Sequence, residues 1–106
     1  MALTRSFKDT VRARAQLDPE FRYALLLEAV NQIVSGDLAT GRNILRKYIN
    51  ATIGYPVLAD LMGKHPKSVM RMLGPSGNPT TENLFNIIHQ AKKQEGVEFE
   101  VNLKRA

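Results

Sequence analysis

Cysteine is missing from this chain, and its absence removes disulfides, thiolate zinc sites and thiol nucleophiles together. That suits a reducing cytosol. Long apolar runs are missing too. The longest, Tyr23 to Leu27, is far short of the ~20 residues that a helical bilayer span needs. The amino terminus, Met-Ala-Leu-Thr-Arg-Ser-Phe-Lys, has no apolar stretch of signal-peptide length. A cytoplasmic protein with no membrane partner is expected. Acidic residues are locally absent: from Leu61 to Thr81 there is none, whereas Lys64, His65, Lys67 and Arg71 all lie inside that stretch. Most of the acids sit in the amino-terminal helices and in the tail, at Glu95, Glu98 and Glu100. Over 106 residues the net charge is +5 and the pI about 9.8. Such an excess favours polyanions through counterion release. The length fits one domain, residues 1–106, and not two.

Catalytic equipment is equally thin. His65 and His89 are well separated, neither has a carboxylate at metal-ligand spacing, and no Gly-x-Ser-x-Gly element exists. No catalytic residue, no metal ligand and no cofactor is assigned, and an enzyme is not expected. Arg12, Arg14 and Arg22 read as solvated helix faces.

The residues present spell a series of helices. A first helix over about Ser6 to Gln16 places Phe7 and Val11 four apart among Arg5, Lys8, Arg12 and Arg14. Asp18-Pro19 is a capping side chain followed by proline at the first helical position. The helix it starts runs to about Val34, with Tyr23, Leu26, Leu27, Val30, Ile33 and Val34 as the apolar face and Leu25 off it. Asp37 caps a third helix, about Leu38 to Asn50, with Leu38, Leu45, Tyr48 and Ile49 inward and Gly41 permitting close helix contact. Arg42 and Arg46 lie towards one edge of it. Pro56 opens a fourth helix to about Met62, Pro66 a fifth to about Leu73. Thr80 caps a sixth to about Lys93, whose stripe is Leu84, Ile87, Ile88 and Ala91.

The fourth and fifth helices, joined by a turn at Gly63, have the order of a helix-turn-helix, whose second helix lies in the DNA major groove. Leu58, Ala59 and Met62 would form the underside, and Val69, Met72 and Leu73 the anchor. Pro66, Lys67, Ser68, Met70 and Arg71 are left facing outward. Lys67, Ser68, Met70 and Arg71 are therefore the candidates for base readout: arginine bonds guanine in bidentate fashion, and lysine reaches guanine or phosphate. The plain alternative is a short surface helix with solvated cations.

Phosphate contacts are assigned to Lys64, His65, Ser76, Asn78, Thr80 and Thr81. The loop Gly74-Pro75-Ser76-Gly77-Asn78-Pro79 cannot be helical, and exposed amides beside the next helix suit a phosphate. An ordinary turn with a Thr80 cap explains the same residues. No Gly-Lys-Ser/Thr follows, so the loop is not a nucleotide-binding P-loop. Its Gly-Pro-Ser-Gly outline matches the RNA-clamping loop of KH domains, without that fold's strands.

After Gly96 the period changes. Val97, Phe99, Val101 and Leu103 alternate with Glu98, Glu100 and Asn102, which predicts a half-buried β-strand over 97–103. No second strand is predicted, so it either lies on the helices or pairs with another chain. Val97, Phe99 and Val101 are accordingly assigned to dimerisation. The fold class expected is all-α with one carboxy-terminal β-strand, divided into a helical extension (1–36), a helix-turn-helix core (37–94) and the strand.

These residues also resemble a known family. The segment from about Leu38 to Lys93 is similar to the lambda-repressor-like (XRE-type) helix-turn-helix domain. Asp18-Pro19-Glu20-Phe21, Ser35-Gly36-Asp37, Ser68-Val69-Met70-Arg71-Met72-Leu73, Gly77-Asn78-Pro79-Thr80 and Val97-Glu98-Phe99-Glu100-Val101 resemble, more narrowly, the addiction-module antidote proteins. These are small bacterial antitoxin-like transcription regulators. The resemblance implies operator binding to double-stranded DNA as a homodimer, and a toxin-antitoxin system in which the partner is a small ribosome-dependent ribonuclease toxin of the RelE type. An alternative within it is an antidote whose main work is binding the toxin, with Leu25 and the amino-terminal helices carrying function. Two positions depart from the pattern. Lys64 occupies a turn position usually apolar, and His65 stands where a Ser or Thr cap is common.

Overall fold

The computed structural model describes residues 6–106; Arg5, placed beside the first helix from sequence, lies outside them. Among the described residues six helices follow one another: α1 (Phe7–Leu17), α2 (Pro19–Ser35), α3 (Leu38–Ala51), α4 (Tyr55–Met62), α5 (Pro66–Leu73) and α6 (Thr81–Glu95). Local chemistry sets most of their starts. Side-chain oxygens of Ser6, Asp18, Asp37 and Thr80 accept the backbone N–H groups of Asp9, Phe21, Thr40 and Asn83, satisfying donors that have no partner within the helix. Pro19 holds the first helical position of α2 and Pro66 that of α5.

At eight residues each, α4 and α5 are too short to be stable as isolated helices, so packing must hold them. Leu58 and Ala59 of α4 and Val69 and Leu73 of α5 are buried in one core with Leu26, Ala29 and Ile33 of α2, Leu45, Tyr48 and Ile49 of α3, and Leu84, Ile87, Ile88 and Ala91 of α6. Met62 and Met72 are partly buried against it. α2 and α3 pack closely at Gly41, where an added Cβ would press into the Ile33 side chain.

That approach narrows the buried stripe of α2. Leu26, Ala29 and Ile33 are inside, but Leu27 is 51% and Val34 68% exposed, contrary to the face expected from spacing, and Tyr23 is only half buried. Leu25, expected off the face, packs partly against the core. Leu38, in the first turn of α3 before the contact begins, is exposed. Tyr55, the first residue of α4, is buried instead.

Arg22 is not a solvated cation. Its guanidinium donates to both Glu95 oxygens, at 2.7 and 3.2 Å, and to the Ala15 carbonyl at 2.7 Å. The Tyr48 hydroxyl donates to the same carboxylate at 2.9 Å. One buried carboxylate on α6 thus ties the end of α1 to α2 and α3. The Glu95 hydrogen bond raises the Arg22 pKa. Burial first, and then the same carboxylate, raise that of Tyr48.

The expected carboxy-terminal β-strand is absent: residues 97–106 hold no strand, and no ladder exists among the described residues. Alternation survives only as an in-out pattern. Val97 and Phe99 are partly buried against the core, while Glu98 and Glu100 are exposed. The Val97 N–H closes the last turn of α6 on the Lys92 carbonyl at 3.1 Å. Lys92 Nζ meets Glu98 Oε1 at 2.6 Å, which holds the Glu98 pKa below its ordinary value. Beyond that tether Val101 is 82% and Leu103 99% exposed. A strand needs a neighbour to receive its hydrogen bonds, and the helical chain supplies none.

Candidate nucleic-acid interface

The passage from α4 to α5 is closed by backbone hydrogen bonds. Gly63 takes a left-handed conformation (φ 66°, ψ 34°), and its N–H bonds the Asp60 carbonyl at 3.1 Å while the Lys64 N–H bonds that of Ala59 at 2.9 Å. This is the Schellman pattern, and a side chain at Gly63 would be strained there. Both sequence departures find a place in it. Lys64 contributes its backbone to the closure and leaves its side chain exposed, so an apolar residue is not required. His65 is itself the cap of α5: Nδ1 accepts the Lys67 N–H at 3.1 Å. Of its ring nitrogens only Nε2 is left to reach a phosphate.

From that cap α5 turns Val69 and Leu73 into the core, and Lys67, Met70 and Arg71 outward. Met70 is 49% exposed. Ser68 is only half exposed. Beyond α5 the loop folds back on the helix. The Gly77 N–H bonds the Gly74 carbonyl at 2.9 Å, and an added Cβ on Gly77 would collide with the carbonyl oxygens of Arg71 and Met72. Gly77 is needed for close approach, not for a positive φ.

This folding-back forms a concave surface of about 620 Å³. It joins Ser68, Met70 and Arg71 of α5 to Ser76 and Asn78 of the loop and Thr80 at the start of α6, and no acidic side chain lines it. Six of the ten residues assigned to DNA from sequence therefore meet on one surface. Lys64, His65, Lys67 and Thr81 are exposed but do not line it. Thr80 has a structural task as well, since its hydroxyl oxygen caps α6. Of the three residues assigned to dimerisation, Val97 and Phe99 lie on their own core and Val101 points to solvent.

Spacing alone missed the contribution of α3. Arg42 and Arg46 line a hollow with Leu73, Gly74 and Pro75, on the edge of the same loop. Arg42 Nε is buried without a hydrogen-bond partner, and Arg46 donates to Asn43 Oδ1 at 2.7 Å. Their four-residue spacing was the available signal, but nothing local shows that this edge of α3 lies beside the end of α5. No group of three or more metal-binding side chains occurs among the described residues, and no helix there is long and apolar enough to cross a membrane.

No protein-family model matches the chain, nor does any curated protein or solved structure.

Proposed function

We propose that the chain is a sequence-specific DNA-binding transcription regulator of the bacterial antitoxin type, in which α4 and α5 form a lambda-repressor-like helix-turn-helix that binds operator DNA as a homodimer. The supporting observation is the acid-free concavity that gathers Ser68, Met70 and Arg71 with Ser76, Asn78 and Thr80. In this reading α5 enters the major groove. Arg71 supplies a bidentate fork for a guanine edge, Met70 packs on base edges, and Lys67 and Ser68 complete the readout. Lys64, His65 and the loop hydroxyls and amides hold phosphates, which fixes the register without reading sequence. The exposed tail residues Val101 and Leu103 are available to a second copy, whose own tail would provide the missing strand partner.

Selection of bound duplexes from a random pool tests this reading. Two enriched half-sites related by two-fold symmetry, about one helical turn apart, are expected. Recovery of no consensus would overturn it.

The antidote reading has an observation of its own. Leu25 packs partly against the core, while Leu27 and Val34, two turns apart on α2, are exposed and Leu38 lies just beyond. A small toxin of the RelE type would seat there, with DNA binding secondary.

A further inference from the structure

A second cleft opens where α1, α3, the start of α4 and the end of α5 meet. Its volume is about 450 Å³, within the range of small-molecule sites, which are mainly apolar with a few convergent polar groups. Phe7 and Val11 of α1, Ala51 of α3 and Met70 of α5 supply its apolar lining. All its charge is of one sign: Lys8, Arg46 and Lys47 line it and no carboxylate does. Tyr55, also lining the cleft, is the second observation. It is 7% exposed, and its hydroxyl is buried with no hydrogen-bond partner among the described residues. Buried hydroxyls are nearly always satisfied, and leaving one unpaired is unfavourable. Burial pushes the Tyr55 phenol up to about 12, while the Arg46 charge acts in the opposite direction.

An apolar wall excludes a bare inorganic anion as the best occupant, and one-signed charge excludes a cation. We propose that this cleft is a binding site for a small anionic amphiphile, an aromatic or branched aliphatic carboxylate. Its apolar body lies against Phe7, Val11 and Met70, and its carboxylate receives Arg46, Lys47 and the Tyr55 hydroxyl. The Arg46 donors not used by Asn43 are free for it. The Tyr55 hydroxyl, closed to water in the unliganded cleft, is uncovered as the ligand enters, donates a hydrogen bond to the incoming oxygen and gains the partner it lacks. Nothing in this site requires that α5 read DNA.

The probes are 4-phenylbutyrate, the neutral 4-phenylbutanol and inorganic phosphate, each titrated into the intact chain and followed by calorimetry and by the ring resonances of Phe7 and Tyr55. Saturable 1:1 binding of 4-phenylbutyrate with a Kd below about 1 mM is expected, with the alcohol and phosphate each at least about tenfold weaker, a difference of roughly 1.4 kcal/mol. Lys47→Gln, at an exposed position, and Arg46→Met, which keeps the side-chain length, should each weaken the acid several-fold and leave the alcohol unchanged. Tyr55→Phe should weaken the acid while the chain stays folded. The proposal is overturned if 4-phenylbutyrate does not saturate by about 5 mM, if the alcohol or phosphate binds as well as the acid, or if neither Lys47→Gln nor Arg46→Met affects acid binding.

Discussion

Two tyrosines one helix end apart show how differently the two sides of this molecule are finished. Tyr48 of α3 gives its hydroxyl to Glu95, which also holds Arg22, and Arg22 in turn bonds the last turns of α1. Tyr55, at the start of α4, is also buried, but its hydroxyl has no partner among the described residues. The Tyr48 side is a closed network joining four helices. A hollow opens on each side, but the one beside Tyr48 is lined by the paired Arg22 and Glu95, whereas the Tyr55 side faces α5 and its loop, where cations outnumber acids and Arg42 Nε is also without a partner among the described residues. A closed network holds a fold, whereas groups left unsatisfied beside a concave surface are placed for something else to satisfy.

The sharpest way to break the open side is Gly77→Val. Its Cβ would meet two carbonyl oxygens that belong to α5 itself, and backbone cannot move aside as a side chain does. A stability loss of about 3 kcal/mol, at the top of the usual range for overpacking, is expected in denaturant titration, with weaker DNA binding. Wild-type stability in this variant would mean that the loop does not fold back on α5.

The tyrosine pair itself gives the next largest contrast. Tyr48→Phe removes a hydrogen bond to a buried carboxylate and should cost about 1.5–3 kcal/mol. Tyr55→Phe removes an unsatisfied hydroxyl and should be neutral or slightly stabilising. Equal losses in the two variants would erase the distinction between the sides.

pH should separate them further, with a smaller effect. Both phenols lie above the ordinary value of 10.0, chiefly through burial, so the fold favours their neutral forms. That contribution is complete below pH 10 and is lost as pH rises above it towards the folded-state values. Tyr55→Phe should shallow the alkaline decline in unfolding free energy, and an unchanged slope would contradict the burial of its hydroxyl. The Asp37 carboxylate shows the opposite sign. Its hydrogen bonds to Thr40 lower its pKa from 3.8, so its cap on α3 is fully present above that value and lost as pH falls through the folded-state one. Asp37→Ala should therefore destabilise slightly at neutral pH and not at all in strong acid.

Sequence was legible wherever the cause is local. Asp18, Asp37 and Thr80 cap the helices they were expected to cap, and Gly63 makes the turn. The side of a helix that meets its neighbour is a tertiary matter. Leu27, Val34 and Leu38 share a helical period with the core, yet the close approach of Gly41 to Ile33 settles α2 on a narrower stripe. Arg22 and Glu95 are far apart in the chain, so their pairing left no mark in spacing. The tail shows the same limit: alternation of Val97 to Leu103 records inside and outside, but only a neighbouring strand makes a ladder. The candidate surface fell between these cases. α5 and its loop were visible as an acid-free stretch, while Arg42 and Arg46 joined them only through folding.

The central claim, that α5 reads bases while the residues around it hold phosphates, is tested most directly by comparing Arg71→Ala with Lys64→Ala on a selected duplex and on a scrambled one across salt. Arg71→Ala should cost about 1–3 kcal/mol on the selected duplex and relax preference at one base position. Lys64→Ala should weaken both duplexes alike and flatten the salt dependence by about one unit of slope. Undiminished affinity and preference in Arg71→Ala would contradict the claim.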